Sequence, residues 1–209
     1  MSTSTTRACA LALAAAALLA ACASPAPQYY SLADAEPAPP AAAKGSATGY
    51  IELAPVAMPE RFARPQLVVR QKDAGEGPEV DILEQHRWSS SFENELRDAL
   101  GSGIAQRLGA VDATKGGRPR GQPVLRIAVQ LRQFDAVENS RVDASFSWTL
   151  RRTEESVPVG CQLFVSERAG GRGIEALARG AQRATARLAD AIAHSANAMQ
   201  NNAVNACPG

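Results

Sequence analysis

The chain has 209 residues, of which 45% are hydrophobic and 21% are charged, a composition that suits one domain with a hydrophobic core plus additional segments. It carries 22 basic and 21 acidic side chains. This near-balance of charge does not indicate nucleic acid as a partner, and it does not indicate attraction to an anionic membrane surface.

The N-terminus has the pattern of a secretory signal. Residues 1–7 are polar and carry one positive charge, and an apolar run rich in Ala and Leu follows from Ala8 to Ala21. At 1.5 Å per residue the run makes about 21 Å of helix, which is too short for the ~30 Å hydrocarbon core of a bilayer. The pattern therefore predicts a signal peptide over residues 1–21.

The end of this signal resembles the lipobox of bacterial lipoproteins, because an aliphatic residue and two small ones precede a cysteine in Leu19-Ala20-Ala21-Cys22. The resemblance implies that Cys22 carries lipid and begins the mature chain. The alternative is an ordinary signal with a chance cysteine at its end. The next residue is Ala23, whereas Asp at this position retains enterobacterial lipoproteins in the inner membrane. We therefore expect attachment to the periplasmic face of the outer membrane.

Two cysteines remain for the folded part, Cys161 and Cys207. Disulfides persist in the oxidising compartment that a secretory signal implies. A disulfide between them would tie the C-terminal tail to the core. The alternative is two unpaired thiols, one buried and one in the tail. We expect the disulfide.

A flexible tether is predicted between the lipidated cysteine and the domain, over residues 22–49. Residues 33–49 are mostly Ala, Pro and Gly, with too little large apolar surface to order themselves. Tyr29 and Tyr30 are unusual in a spacer, so this short patch is expected to dock somewhere.

Three short strands are predicted after the tether, at Tyr50–Val56, Gln66–Arg70 and Val80–Leu83. The first ends among prolines, and the second is rich in β-branched residues. A turn containing glycine and proline separates the second strand from the third.

An amphipathic helix is predicted next. Ser90 and Glu93 match a capping box, and Gly109 is the expected end of the helix. Apolar side chains between them recur at spacings of three and four and form one stripe: Phe92, Leu96, Ala99, Leu100, Ile104 and Leu108.

Three further strands show strict alternation of apolar and polar residues. Their apolar rows run through Leu125–Leu131, Val142–Leu150 and Val157–Val165. A period of two places one face in the core and the other in water, as in an antiparallel sheet. The connections at 133–141 and 152–157 are short enough for hairpins.

The last predicted element is a long helix from Ile174 to Met199, with small and apolar residues along one face. The order βββ-α-βββ-α indicates an α+β fold: a two-layer domain over residues 50–200, with a mainly antiparallel sheet packed by two main helices. Residues 201–209 form a polar tail.

The sequence offers little for catalysis. His86 and His194 are its two histidines, and neither has a Cys, Asp or Glu nearby at metal-ligand spacing. It contains no nucleophile elbow and no phosphate-binding glycine loop. We therefore expect no enzyme activity, no metal and no cofactor.

Arginine and tryptophan stand out instead. Arg64 begins the block Arg64–Arg70, and the pair Arg87-Trp88 comes just before the first helix. Both residue types are favoured at interface hot spots. The alternative is a core tryptophan surrounded by surface arginines.

Four sequence blocks resemble the PqiC (YmbA-like) family of auxiliary lipoproteins of ABC-type transport systems. The blocks are Tyr29–Leu32, Ile51–Val56, Arg64–Arg70 and Arg87-Trp88. The resemblance implies a homo-oligomeric, non-catalytic protein of the outer membrane. Its implied partner is a periplasmic MCE-domain protein that moves phospholipid or other hydrophobic molecules. The expected contact residues are Arg64, Pro65, Gln66, Arg87, Trp88, Tyr29 and Tyr30.

Two other functions remain open at this point. One is a lipoprotein that chaperones or plugs an outer-membrane β-barrel. The other is a periplasmic hydrolase, which is disfavoured because the sequence has no recognisable catalytic constellation.

Overall fold

The computed structural model describes residues 25–33, 49–71, 77–117, 120–152, 157–201 and 206–208. The predicted signal peptide, Cys22 and most of the predicted tether lie outside these residues. A 3-10 turn spans Glu60–Phe62, and the other elements in chain order are β1 Gln28–Tyr30, β2 Tyr50–Leu53, β3 Gln66–Val69, β4 Asp81–Trp88, α1 Phe92–Leu108, β5 Val111–Asp112, β6 Val124–Val137, β7 Arg141–Arg151, β8 Val159–Arg168 and α2 Gly173–Gln200.

The described strands form two sheets. One has the order β1-β4-β3, with β1 parallel and β3 antiparallel to β4. The other has the order β5-β2-β6-β7-β8, in which β2 is parallel to both of its neighbours and β6, β7 and β8 are antiparallel. The sheets meet at Arg70, whose N–H donates to the Ala136 carbonyl at 2.8 Å. The α+β class is confirmed, and the strand pairing is more mixed than the alternating pattern indicates.

The three alternating strands are confirmed as β6, β7 and β8. Their apolar rows are largely buried, and α2 packs on β7, β8 and α1. Val157 is an exception, since it is exposed although the pattern places it in the third apolar row. Leu150 pairs with Val159, so Val157 lies beyond the last residue of β7 and has no cross-strand neighbour to pack on.

The small residues of α2 let the helix approach the sheet closely. A Cβ atom added at Gly180 would lie 3.1 Å from Val142 Cγ2, which is tighter than an ordinary contact. Gly180 therefore fits because it has no side chain. Alanines occupy most other buried positions of this helix.

Helix α1 begins one residue later than the capping box predicts. Its N-cap is Ser91, whose Oγ accepts the Asn94 N–H at 3.3 Å, so the predicted cap at Ser90 is wrong. Ser90 instead donates to the carboxylate of Glu95 at 3.0 Å. The helix ends at Gly109 as predicted, because that residue has a left-handed backbone with φ of 62°.

The folded domain begins earlier than the predicted boundary at residue 50. Gln28–Tyr30 forms β1 beside β4, and Leu32 is buried in the core. The prediction that the tyrosine patch docks is thereby confirmed. A parallel three-residue strand leaves no local sequence pattern, which is why residues 28–32 were expected to belong to the tether.

Candidate functional site

Five of the seven expected contact residues lie in the three-stranded sheet, and the other two, Arg64 and Pro65, lie just before its strand β3. In the register of this sheet, Tyr29 and Gln66 both pair with Arg87, from opposite sides. Tyr30 pairs with Trp88. Segments that are far apart in the sequence thus become neighbours.

We call Tyr29, Arg87 and Gln66 the Tyr-Arg-Gln row. Tyr29 is 63% exposed. Arg87 is held in place by Glu84, because its Nε donates to the Glu84 carbonyl at 2.8 Å and its Nη2 to the carboxylate at 3.2 Å. Gln66 Nε2 donates to the same carboxylate at 3.2 Å. The row therefore presents an aromatic ring, a guanidinium and an amide from three neighbouring strands of one sheet.

Trp88 is a core residue, because it is only 4% exposed. Its ring stacks on Phe92 with centroids 5.2 Å apart, and Phe92 in turn contacts Phe134 at 5.0 Å. Phe62 completes this aromatic cluster. Trp88 supports the sheet from beneath and does not form part of its surface, so its expected role as a direct contact is corrected.

Pro65 and Arg64 lie just before β3. The Pro65 carbonyl accepts the Trp88 N–H at 2.7 Å, which fixes the end of β4. Arg64 is half-buried, and its Nε has no hydrogen-bond partner among the described residues. Pro65 therefore has a structural role, whereas the structure gives no partner for that Arg64 atom.

An apolar crevice lies beside Trp88, between β3, β6 and α2. It is lined by side chains that include Phe62, Val68, Phe134 and Leu177. Its free volume is about 10 Å³, roughly the space that one water molecule needs. An acyl chain does not fit in this conformation.

Tyr30 forms a polar pair beneath the row. Its Oη lies 2.9 Å from His86 Nδ1 and 2.9 Å from Gln28 Oε1. Both bonds form when the His86 N–H donates to the tyrosine oxygen and the tyrosine donates to Gln28. Burial, and secondly the charge of Glu175, raise the pKa of Tyr30, so the phenol stays protonated and serves as a link between strands.

Glu95 is a buried carboxylate that the motif analysis does not single out. It lies on α1 and accepts hydrogen bonds from three groups of the preceding segments: Leu32 N–H at 2.9 Å, Ser89 Oγ at 2.5 Å and Ser90 Oγ at 3.0 Å. Gln182 on α2 holds the same N-terminal segment by donating to the Ser31 carbonyl at 2.8 Å. A charged residue between Phe92 and Leu96 on an apolar stripe is the signal that could have revealed it.

Burial raises the pKa of the Glu95 carboxyl, but hydrogen bonds from three serines and from the Leu32 N–H outweigh burial and hold the pKa below its ordinary value of 4.5. The carboxylate therefore stabilises the fold above that value, and this contribution is lost as the pH falls through the lowered pKa.

We expect Glu95→Gln to lower the free energy of unfolding by about 2 kcal/mol at pH 7, because the amide brings donors to a site that supplies donors. The difference from wild type should shrink as the pH falls below about 4.5, and urea unfolding at a series of pH values measures it. Glu93→Gln in the same helical turn is the control and should change stability by less than about 0.5 kcal/mol. A difference that does not depend on pH would contradict the role of the charge.

Cys161 and Cys207 are joined by a disulfide in the structure, with Cα atoms 5.4 Å apart. Cys161 is buried on β8, and Ser195 of α2 lies against it with Oγ 3.7 Å from the sulfur. Since a disulfide sulfur has no proton, Ser195 is the donor. The bridge attaches the end of the chain to the last strand of the five-stranded sheet.

We expect no free thiol from these two cysteines when mature protein is denatured without reductant. Titration with a thiol reagent should reveal two thiols per chain only after reduction. Mature Cys161→Ser protein is the control and should expose one. Two reactive thiols in unreduced wild type would rule out the bridge.

A family model described as ABC-type transport auxiliary lipoprotein component matches residues 30–193. The chain belongs to this family. The match runs from Tyr30, the last residue of β1, into α2, and it includes Arg87 and Gln66 of the Tyr-Arg-Gln row but not Tyr29. The resemblance to PqiC (YmbA-like) proteins is confirmed, and the family is that of auxiliary components of ABC-type transport systems.

Two solved structures share the fold of this auxiliary lipoprotein. One is titled as an uncharacterized protein, with 18% identity and a TM-score of 0.63, covering 81% of this chain and 97% of its own. The other is a Xanthomonas campestris protein of the DUF330 family, with 14% identity and a TM-score of 0.61, covering 84% of this chain and 98% of its own. None of the curated proteins compared with the chain matches it.

Two further observations concern the described part of the auxiliary lipoprotein. None of the helices described there is both long and apolar enough to cross a membrane. The same residues contain no group of three His, Cys, Asp or Glu side chains placed to hold a metal ion.

Proposed function

We propose that this auxiliary lipoprotein is anchored through Cys22 to the periplasmic face of the outer membrane. There it binds the periplasmic MCE-domain protein of an ABC transport system that moves phospholipids or other hydrophobic molecules. It acts without catalysis, and several copies assemble into a homo-oligomer.

The observation that carries this proposal is the placement of the family-like sequence blocks. Three of them supply residues of the strands β1, β3 and β4, and the exposed Tyr29 and the half-buried Arg87 and Gln66 form the Tyr-Arg-Gln row. An exposed aromatic ring beside a fixed guanidinium is the composition of a protein-binding hot spot. Arg87 is already held by two hydrogen bonds to Glu84, so little of its side-chain freedom is lost on binding.

The apolar crevice beside Trp88 has a free volume of about 10 Å³, which leaves no room for an acyl chain at this position. In this proposal the hydrophobic cargo travels through the partner. The lipoprotein then serves as the outer-membrane attachment point of the transport system.

Capture of the MCE-domain protein by the full, acylated lipoprotein tests this function. The double substitution Tyr29→Ala and Arg87→Ala should weaken capture at least tenfold, a loss of about 1.4 kcal/mol or more. Arg132→Ala, on the exposed face of β6, is the matched control and should leave capture unchanged. Folded and lipidated wild-type protein that fails to capture the MCE-domain protein would count against the assignment.

A further inference from the structure

The position of β1 places the folded domain close to the lipid anchor. Six residue steps separate Cys22 from Gln28, where β1 begins. A fully extended chain of this length reaches about 20 Å. Pro25 and Pro27 lie in this segment and are exposed, and each proline restricts the conformations available to the chain.

The register of the three-stranded sheet indicates which end of the domain is near the anchor. Gln28 pairs with His86, and β1 runs parallel to β4. Residues before Gln28 therefore leave the sheet on the side where the first half of β4 lies. Ile82 precedes His86 by four residues, about 13 Å along a strand, which is within the reach of the anchoring segment.

This end of the sheet exposes aliphatic side chains. Val80 is 45% exposed and Ile82 is 43% exposed. Val80 lies immediately before β4, and Ile82 is the second residue of that strand. These two exposed branched aliphatic side chains, close together along the chain, form a small apolar surface.

We propose that the surface formed by Val80 and Ile82 rests on the lipid bilayer that holds the anchor, and thereby orients the domain. This inference rests on lipidation of Cys22, which belongs to the proposed function. The occupant is a bilayer because the anchoring segment leaves Gln28 toward this end of β4 and can reach it within its full extension of about 20 Å. At that distance the effective concentration of the membrane is high enough for a weak contact to form. Arg87 and Gln66 lie at the other end of the β3–β4 pair, where Arg87 pairs with Tyr29 of β1.

The other large hydrophobic side chains exposed among the described residues are Tyr29 on β1, Val157 just before β8, and two residues of the five-stranded sheet. Phe164 is 63% exposed on β8, and Val111 is exposed on β5. These two strands are opposite edges of the five-stranded sheet. Phe164 is thus a control position with at least as much exposed apolar surface and no link to the anchor.

The test uses the acylated protein reconstituted in vesicles of phosphatidylethanolamine and phosphatidylglycerol. A fluorescent label is attached to a single new cysteine at Ile82→Cys, at Val80→Cys or, as the control, at Phe164→Cys. Vesicles with brominated acyl chains then quench any label that touches the hydrocarbon. Quenching at positions 82 and 80 should exceed quenching at position 164 at least twofold.

Equal quenching at all three positions, or stronger quenching at position 164, would overturn the proposed orientation. A label at position 82 that is shielded from both brominated lipid and a water-soluble quencher would also overturn it and would indicate a protein contact. Vesicle flotation separates this result from failure of the anchor. Protein that does not float would refute lipidation of Cys22, and the orientation with it.

Discussion

Trp88→Ala is expected to lower the free energy of unfolding by about 3–5 kcal/mol, the range for removal of a large buried aromatic side chain. The Trp88 ring is buried, stacks on Phe92 at 5.2 Å and lies beside a crevice that already has about 10 Å³ of free space. Truncation would enlarge this space and remove the stacking contact. Urea unfolding of the soluble domain measures the loss.

Tyr29→Ala is the matched control for Trp88, because Tyr29 is an aromatic residue of the same sheet that is 63% exposed. It should change stability by less than about 0.5 kcal/mol while weakening capture of the partner. Comparison of the two variants distinguishes Trp88, which supports the fold, from Tyr29, which contacts the partner. A Trp88→Ala protein that unfolds like wild type but loses the partner would show that Trp88 is a contact after all.

Cys22→Ser is expected to remove the protein from the outer-membrane fraction without changing the fold. The reason is that the acyl chains on this residue provide the proposed attachment, and each buried methylene contributes about 0.8 kcal/mol to membrane binding. Fractionation of cells, with mass measurement of the mature chain, gives the result.

Cys9→Ser is the control for this substitution. Cys9 lies in the same predicted signal peptide and leaves with it, so the mature protein should remain lipidated and membrane-bound. Cys22→Ser protein that still fractionates with the outer membrane would refute the lipid anchor.

Elements with a repeated local pattern were predictable from the sequence. Strands β6 and β7 and the stripe of α1 follow from periods of two and 3.6, and Gly109 ends its helix because a left-handed residue is needed there. Strands β1 and β5 were missed because two or three residues carry no period. Their pairings are also parallel and non-local, so nothing close in the sequence specifies them.

The candidate site was predictable as a set of residues but not as a surface. The blocks containing Tyr29, Gln66 and Arg87 were identified, whereas their shared row depends on the register of β1 and β3 on either side of β4. Whether Trp88 faces the core or solvent is decided by the same register. Glu95 was missed because its partners include the Leu32 N–H, which is 63 residues away in the sequence.

The docking of β1 has a mechanical consequence. A force that pulls the domain away from its anchor acts on the fold at Gln28. The three-residue pairing of β1 with β4 resists it first, and the Glu95–Leu32 hydrogen bond resists it next. Release of both would add residues 28–32 to the segment that links Cys22 to the fold. The full extension of that segment would then grow from about 20 Å to about 35 Å, so the pairing of β1 sets how far the domain can move from its anchor.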